Sequence, residues 1–205
     1  MLKDIFMDSL PNIWPMIVII LVIVSSLRIT YLITKHKRFL LHKELIYLIA
    51  ITYVLCLFYV VTFQDKNYGS SNYIPFKEIF RYSFGSRKFF KNIIGNIMLF
   101  IPYGFLSSYL LKNKKLSITF ILSLIASLTI ELVQYNIGRV FDIDDIILNV
   151  LGGLIGGLLF VGLDAIRNKV RLLKNDTVID ILVILLLLIV IVYSFNINIF
   201  GMIWG

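Results

Sequence analysis

One cysteine, four prolines and a charged fraction of only 16% set the first limits on this 205-residue chain. Cys56 cannot form a disulfide within the chain and lies inside an apolar run, where it reads as a packing residue. No cysteine cluster or histidine pair has the spacing of a zinc site. His36 and His42 fall in a basic stretch and read as solvated loop residues. No serine or cysteine nucleophile with a histidine partner is visible, which disfavours Ser–His–Asp hydrolysis. Nucleic-acid motifs are also lacking, so the net charge of +8 points to membrane orientation and anionic headgroups, not to nucleic acid.

Hydrophobicity is abundant. The chain is 59% apolar with a mean hydropathy of +0.91, more than a soluble domain can hide. Six segments approach or reach the ~20 residues that cross a bilayer. They cover about 14–34, 45–63, 94–111, 116–135, 144–163 and 178–195. The first lacks a preceding basic cluster and an A-x-A-like site, so it reads as a span and not as a signal peptide. Lipid offers backbone amides no partner, and no alternating barrel pattern is present, so the expected fold is all-α and polytopic. Residues 1–205 form one membrane domain. The short connections 112–115 and 136–143 make spans three, four and five a compact antiparallel unit. The sixth span is almost wholly Ile, Leu and Val; it is expected to be peripheral and to carry no polar handle.

Lys and Arg set the orientation. Connections 35–43, 112–115 and 164–177 are basic and fall on one side, which is then cytoplasmic. Both termini are extracytoplasmic in this arrangement, and Arg28 snorkels toward the cytoplasmic side. Loop 64–92 lies outside yet is also basic. Ile79, Phe80 and Phe84 against Lys77, Arg81 and Arg87 predict a short amphipathic segment in the headgroup layer, between spans two and three. It is either a surface anchor or a basic wall for an anionic group of a lipid-borne substrate.

Polar residues at span ends are costly and mark function or critical helix contacts. Asn92 and Asn96 open span three, Glu131 and Gln134 close span four, and Asp142, Asp145 and Asn149 open span five. Asp142, Asp145, Asn149, Gly152 and Gly156 step by 3, 4, 3 and 4 residues, which draws one stripe down a helix. Asp142 and Asp145 suit a helix N-terminus, and Asp142 also suits an N-cap. Glu131 sits at a C-terminal end, where the dipole disfavours it; Arg139 is the nearest compensating cation in sequence. Gly152, Gly153, Gly156 and Gly157 contain two overlapping small-xxx-small patterns and read as a packing face, with Pro102 and Gly104 serving span three. The glycine stripe and the last span permit a dimer without requiring one.

These motifs resemble the VanZ-like family. The resemblance is carried by Ser71-Asn-Tyr-Ile-Pro-Phe76, Gly95-Asn96 through Pro102-Tyr-Gly104, Glu131-Leu-Val-Gln134, Arg139, Asp142, Asp145, Asn149 and Gly152. It covers about residues 71–160 and leaves spans one, two and six outside. It implies a multi-pass bacterial cell-membrane protein linked to low-level resistance to teicoplanin, a glycopeptide that binds peptidoglycan precursors. It supplies a phenotype and no reaction.

Three classes of function fit the residues. In the first, the protein acts on a lipid-linked or cell-wall component at the extracytoplasmic surface. Glu131, Asp142 and Asp145 then hold Mg²⁺ or Ca²⁺ with Gln134 and Asn149, or one carboxylate serves as general acid or base. Asn96, Gln134, Arg139, Asn149, Arg81 and Arg87 would contact the substrate, the arginines gripping an anionic group. In the second, the same residues bind or shield a surface lipid or precursor without chemistry. The third, a small ion-coupled transporter, is weaker because the polar groups gather at one face and no inverted repeat is evident.

Overall fold

The computed structural model of the protein describes the backbone of residues 2–63 and 71–187 and side chains within 14–62 and 71–187. It is all-α and polytopic. Among the described residues, five helices are long and apolar enough to cross a membrane, with spans Trp14–Thr34, Leu41–Thr62, Arg87–Leu110, Leu116–Asn136 and Ile143–Lys169. We label the helices α1 (Leu2–Thr34), α2 (Leu41–Phe63), α3 (Lys77–Arg81), α4 (Arg87–Leu110), α5 (Leu116–Asn136), α6 (Ile143–Lys169) and α7 (176–187). The expected sixth span begins within α7, and its residues 188–195 lie outside the described residues.

α6 is the central helix because its glycines let two neighbours approach closely. A Cβ at Gly152 would collide with the Ile97 carbonyl, and one at Gly156 with Ile101 O and Phe105 N, all on α4. A Cβ at Gly153 would strike the Ser123 side chain on α5, and one at Gly157 would crowd Thr119 on the same helix. The two small-residue rows therefore serve different partners. Gly104 on α4 meets the Gly153 backbone in the same way. All four α6 glycines are buried inside one chain, so the stripe offers no face to a second copy. Pro102 corrects the expectation of a packing role: it lies on an exposed side of α4. The main irregularity of α4 is elsewhere, in a π-helical stretch at Phe90–Ile94 that precedes the regular helix.

The amphipathic segment is shorter than its sequence suggests. Only Lys77–Arg81 is helical, and Arg87 already belongs to the first turn of α4. Residues 71–76 instead cross the start of α6. Asn72 N donates to Phe141 O at 2.8 Å and Ile143 N donates to Asn72 O at 3.1 Å, forming an isolated parallel bridge.

Three basic connections meet at the other end of the bundle. Arg28 makes a two-pronged contact with Glu44 at 2.9 and 3.1 Å, so it is paired and does not simply snorkel. Lys43 and Arg167 both reach Asp176, at 3.1 and 3.2 Å, and Lys114 pairs with Asp164. His42 is not a solvated loop residue. It is buried in the first turn of α2, where its backbone N–H and its Nδ1 both contact Asp180 Oδ1, at 2.8 and 2.7 Å. Asp180 thus gives the last apolar segment a polar handle that its aliphatic composition conceals.

Candidate functional site

The ends of α5 and α6 away from those connections carry a network that begins at Glu131. This side chain is 1% exposed, and its Oε2 accepts the Asp142 backbone N–H at 3.0 Å. With the Gln134 amide oriented to satisfy both of its ends, Nε2 donates to Glu131 Oε1 at 3.0 Å and Oε1 accepts from Arg139 Nη1 at 2.7 Å. Arg139 Nη1 also donates to Val61 O at the end of α2, at 3.0 Å. The expected Glu131–Arg139 compensation is therefore relayed through Gln134.

Asp142 caps α6. Its backbone is extended, and its Oδ1 accepts from Asp144 N and from Asn72 Nδ2, both at 2.9 Å. It stands before the helix, so the helical stripe starts at Asp145 and not at Asp142. Burial is the main reason that the Asp142 carboxyl is raised above the ordinary aspartate value; its hydrogen bonds with Asn72 and the Asp144 amide oppose that rise.

Asp145, in the first turn of α6, faces α4. Its Oδ1 accepts from Asn96 Nδ2 at 2.5 Å, and its other oxygen accepts no hydrogen bond from a described residue. Glu131, Asp142 and Asp145 thus approach one another around a single end of the α4–α5–α6 unit. Asn149 lies deeper and turns away: its Nδ2 donates to Ser127 Oγ on α5 at 2.9 Å, while its Oδ1 is buried without a partner. Asn149 consequently reads as part of the α5–α6 contact, apart from the carboxylates.

The arginines of the basic loop do not join the group. Arg81 pairs with Glu78 at 3.0 Å and is largely exposed, and Arg87 is exposed at the start of α4. Asn92 lies in the π-helical stretch at the start of α4, apart from the Asn96–Asp145 contact. Among the described residues, no three His, Cys, Asp or Glu side chains gather to hold one ion. The metal expectation for Glu131, Asp142 and Asp145 accordingly finds no ligand geometry.

Two features escaped the sequence reading. Asp144 is 1% exposed and accepts the backbone N–H groups of Phe76, Glu78 and Ile79 at 2.5, 2.7 and 3.2 Å. Phe76, with φ of 67°, adopts the left-handed conformation there, and these amides converge on the carboxylate. The only sequence signal was a second acidic residue in a helix's first turn. The second feature is a row of Thr119, Ser123, Ser127 and Glu131 down α5, all 2% exposed or less. Their spacing of four residues was legible as one face of a helix.

Comparison with known proteins places this arrangement in context. A profile of the family described as VanZ/LLP1 matches residues 44–166, from the first turn of α2 to near the end of α6. The chain is 34% identical over 113 residues to Protein VanZ of Enterococcus faecium, a stretch covering 54% of this chain and 67% of that protein. No solved structure matches.

Proposed function

The chain belongs to the VanZ/LLP1 family, and from that premise we propose that this membrane protein lowers susceptibility to teicoplanin-type glycopeptides. It does so by acting on a lipid-linked or cell-wall component at the carboxylate–amide end of α4, α5 and α6. This end faces outward, a placement supported by the three basic connections at the opposite end. The observation that carries the reading is Asp145: one oxygen is held by Asn96 while the other is left for a ligand. A carboxyl with one oxygen held and one open is placed to take up and release a proton. Asn96 positions Asp145, and Arg139 and Gln134 hold Glu131 in place.

A second reading, binding without chemistry, is favoured by one observation. The carboxylates of Glu131, Asp142 and Asp144 are all engaged in internal hydrogen bonds, as a scaffold for a docked headgroup or peptide would be. Teicoplanin susceptibility of cells carrying Asp145→Asn, with membrane levels matched, separates the two. Near-complete loss of protection supports proton handling, partial loss supports binding, and full protection removes Asp145 from both.

A further inference from the structure

We propose that residues 76–91 form a docking surface for anionic phospholipid headgroups, with Phe80 and Phe84 seated in the interface of the leaflet at the carboxylate end. The surface is independent of any chemistry at Asp145.

Three observations support it. Phe80 is 83% exposed and Phe84 is 90% exposed, yet neither belongs to a spanning helix. Aromatic rings so exposed are unfavourable in water and are favoured at the level of the headgroups. α4 enters its span at Arg87, which puts Phe84 immediately outside the hydrocarbon layer.

The second observation is the distribution of charge. At the opposite end Arg28, Lys43, Lys114 and Arg167 have acidic partners, while Lys37, Arg38, Lys115 and Arg171 form no ion pair with a described residue, as befits the side that positive charge ordinarily favours. In this segment only Arg81 has one among the described residues, Glu78. Lys77, Arg87, Lys88 and Lys91 form no ion pair with a described residue, and all four are exposed. These uncompensated cations run against the usual bias of positive charge toward the cytoplasm, and the phosphates of anionic lipids are their natural complement.

The third is rigidity. The backbone of Phe76, Glu78 and Ile79 is held by the buried Asp144 carboxylate, so the surface is pre-formed on α6 and does not have to order on contact. Phe76 and Phe80 also form a tilted ring pair with centroids 6.3 Å apart, and Phe84 and Phe89 form another at 5.1 Å.

The test uses the full chain in vesicles of phosphatidylcholine with or without phosphatidylglycerol. A nitroxide is attached at Phe84→Cys, and separately at Lys112→Cys in the turn after α4, in a Cys56→Ser background. Collision with oxygen relative to a water-soluble nickel chelate should be several-fold higher at position 84 than at 112. Equal ratios, with position 84 open to the chelate, would overturn the proposal. A second measurement needs no cysteine. Spin-labelled phosphatidylglycerol should associate with the unmodified protein several-fold more strongly than phosphatidylcholine does. That preference should fall clearly in a Lys77→Gln/Arg87→Gln/Lys88→Gln variant and resist added inorganic phosphate. Selectivity unchanged in the variant, or abolished by millimolar-range free phosphate, means that the surface does not recognise lipid headgroups.

Discussion

Glu131 Oε2 accepts the backbone N–H of Asp142 at 3.0 Å, so a carboxylate at the end of α5 fixes the point where α6 begins. A helix C-terminus ordinarily disfavours a carboxylate. Here the amides of Asp142 and Gln134 answer the charge directly, and Arg139 answers it through Gln134. Glu131→Ala removes both bonds and leaves buried donors unpaired, which is expected to cost about 3 kcal/mol. Glu131→Gln keeps one acceptor oxygen and should cost less. Unfolding in detergent ranks the two, and equal losses would mean that these hydrogen bonds carry little weight.

Asp144 should matter for structure more than for chemistry. Its carboxylate serves three backbone amides between Phe76 and Ile79, so Asp144→Ala is expected to free residues 72–81 from α6. Charge-assisted hydrogen bonds of this kind contribute about 1.5–3 kcal/mol each to local order. Amide hydrogen exchange should speed up across that segment while α1 and α2 stay unchanged. Uniform protection in the variant would show that other contacts hold the segment.

The glycines can be tested against one another. Gly156→Ala drives a methyl group into the α4 backbone at Ile101 and Phe105, which cannot move aside as a side chain would. A loss of about 2 kcal/mol or more is expected, with Asn96 shifted away from Asp145. Gly162 has nothing within 4 Å of a built Cβ, so Gly162→Ala should be neutral or stabilise slightly. Equal thermal stability of the two variants in detergent would contradict the close α4–α6 approach.

The pH dependence of stability has a definite sign at Asp142. Burial raises its carboxyl above the ordinary 3.8, so the folded chain holds this proton more tightly than the unfolded chain does. Its contribution is therefore most favourable below the unfolded value and is lost as pH rises through the folded one. Asp142→Asn should remove that slope when denaturation midpoints are compared from about pH 4 to about pH 7. An unchanged slope would assign the titration to another group.

At the other end, His42 and Asp180 join α2 to α7 through the backbone and the ring of one residue. Asp180→Ala leaves the buried His42 without that partner, while Lys43 and Arg167 keep their pairing with Asp176. Exchange protection of 176–187 should drop in Asp180→Ala more than in Lys43→Ala, because the Lys43 pair is more exposed. The reverse order would place the hold on Asp176.

The amino-acid order by itself determined the class of protein and most of its spans. Long apolar runs admit only helices in lipid, and the short turns before Leu116 and Ile143 force neighbours to be antiparallel. The small-residue rows at Gly152–Gly157 were legible because spacing alone assigns residues to a helix face. Which row meets which helix was not, since that depends on how α4 and α5 sit around α6. The polar residues divide in the same way. Their gathering at the ends of spans was readable, but their partners were a matter of tertiary structure. Asn72 lies 70 residues from Asp142, and His42 lies 138 residues from Asp180. No local spacing encodes such pairs. They form because a buried hydrogen-bonding group in a membrane protein must find its partner inside the protein, and only the packed helices decide which group is within reach.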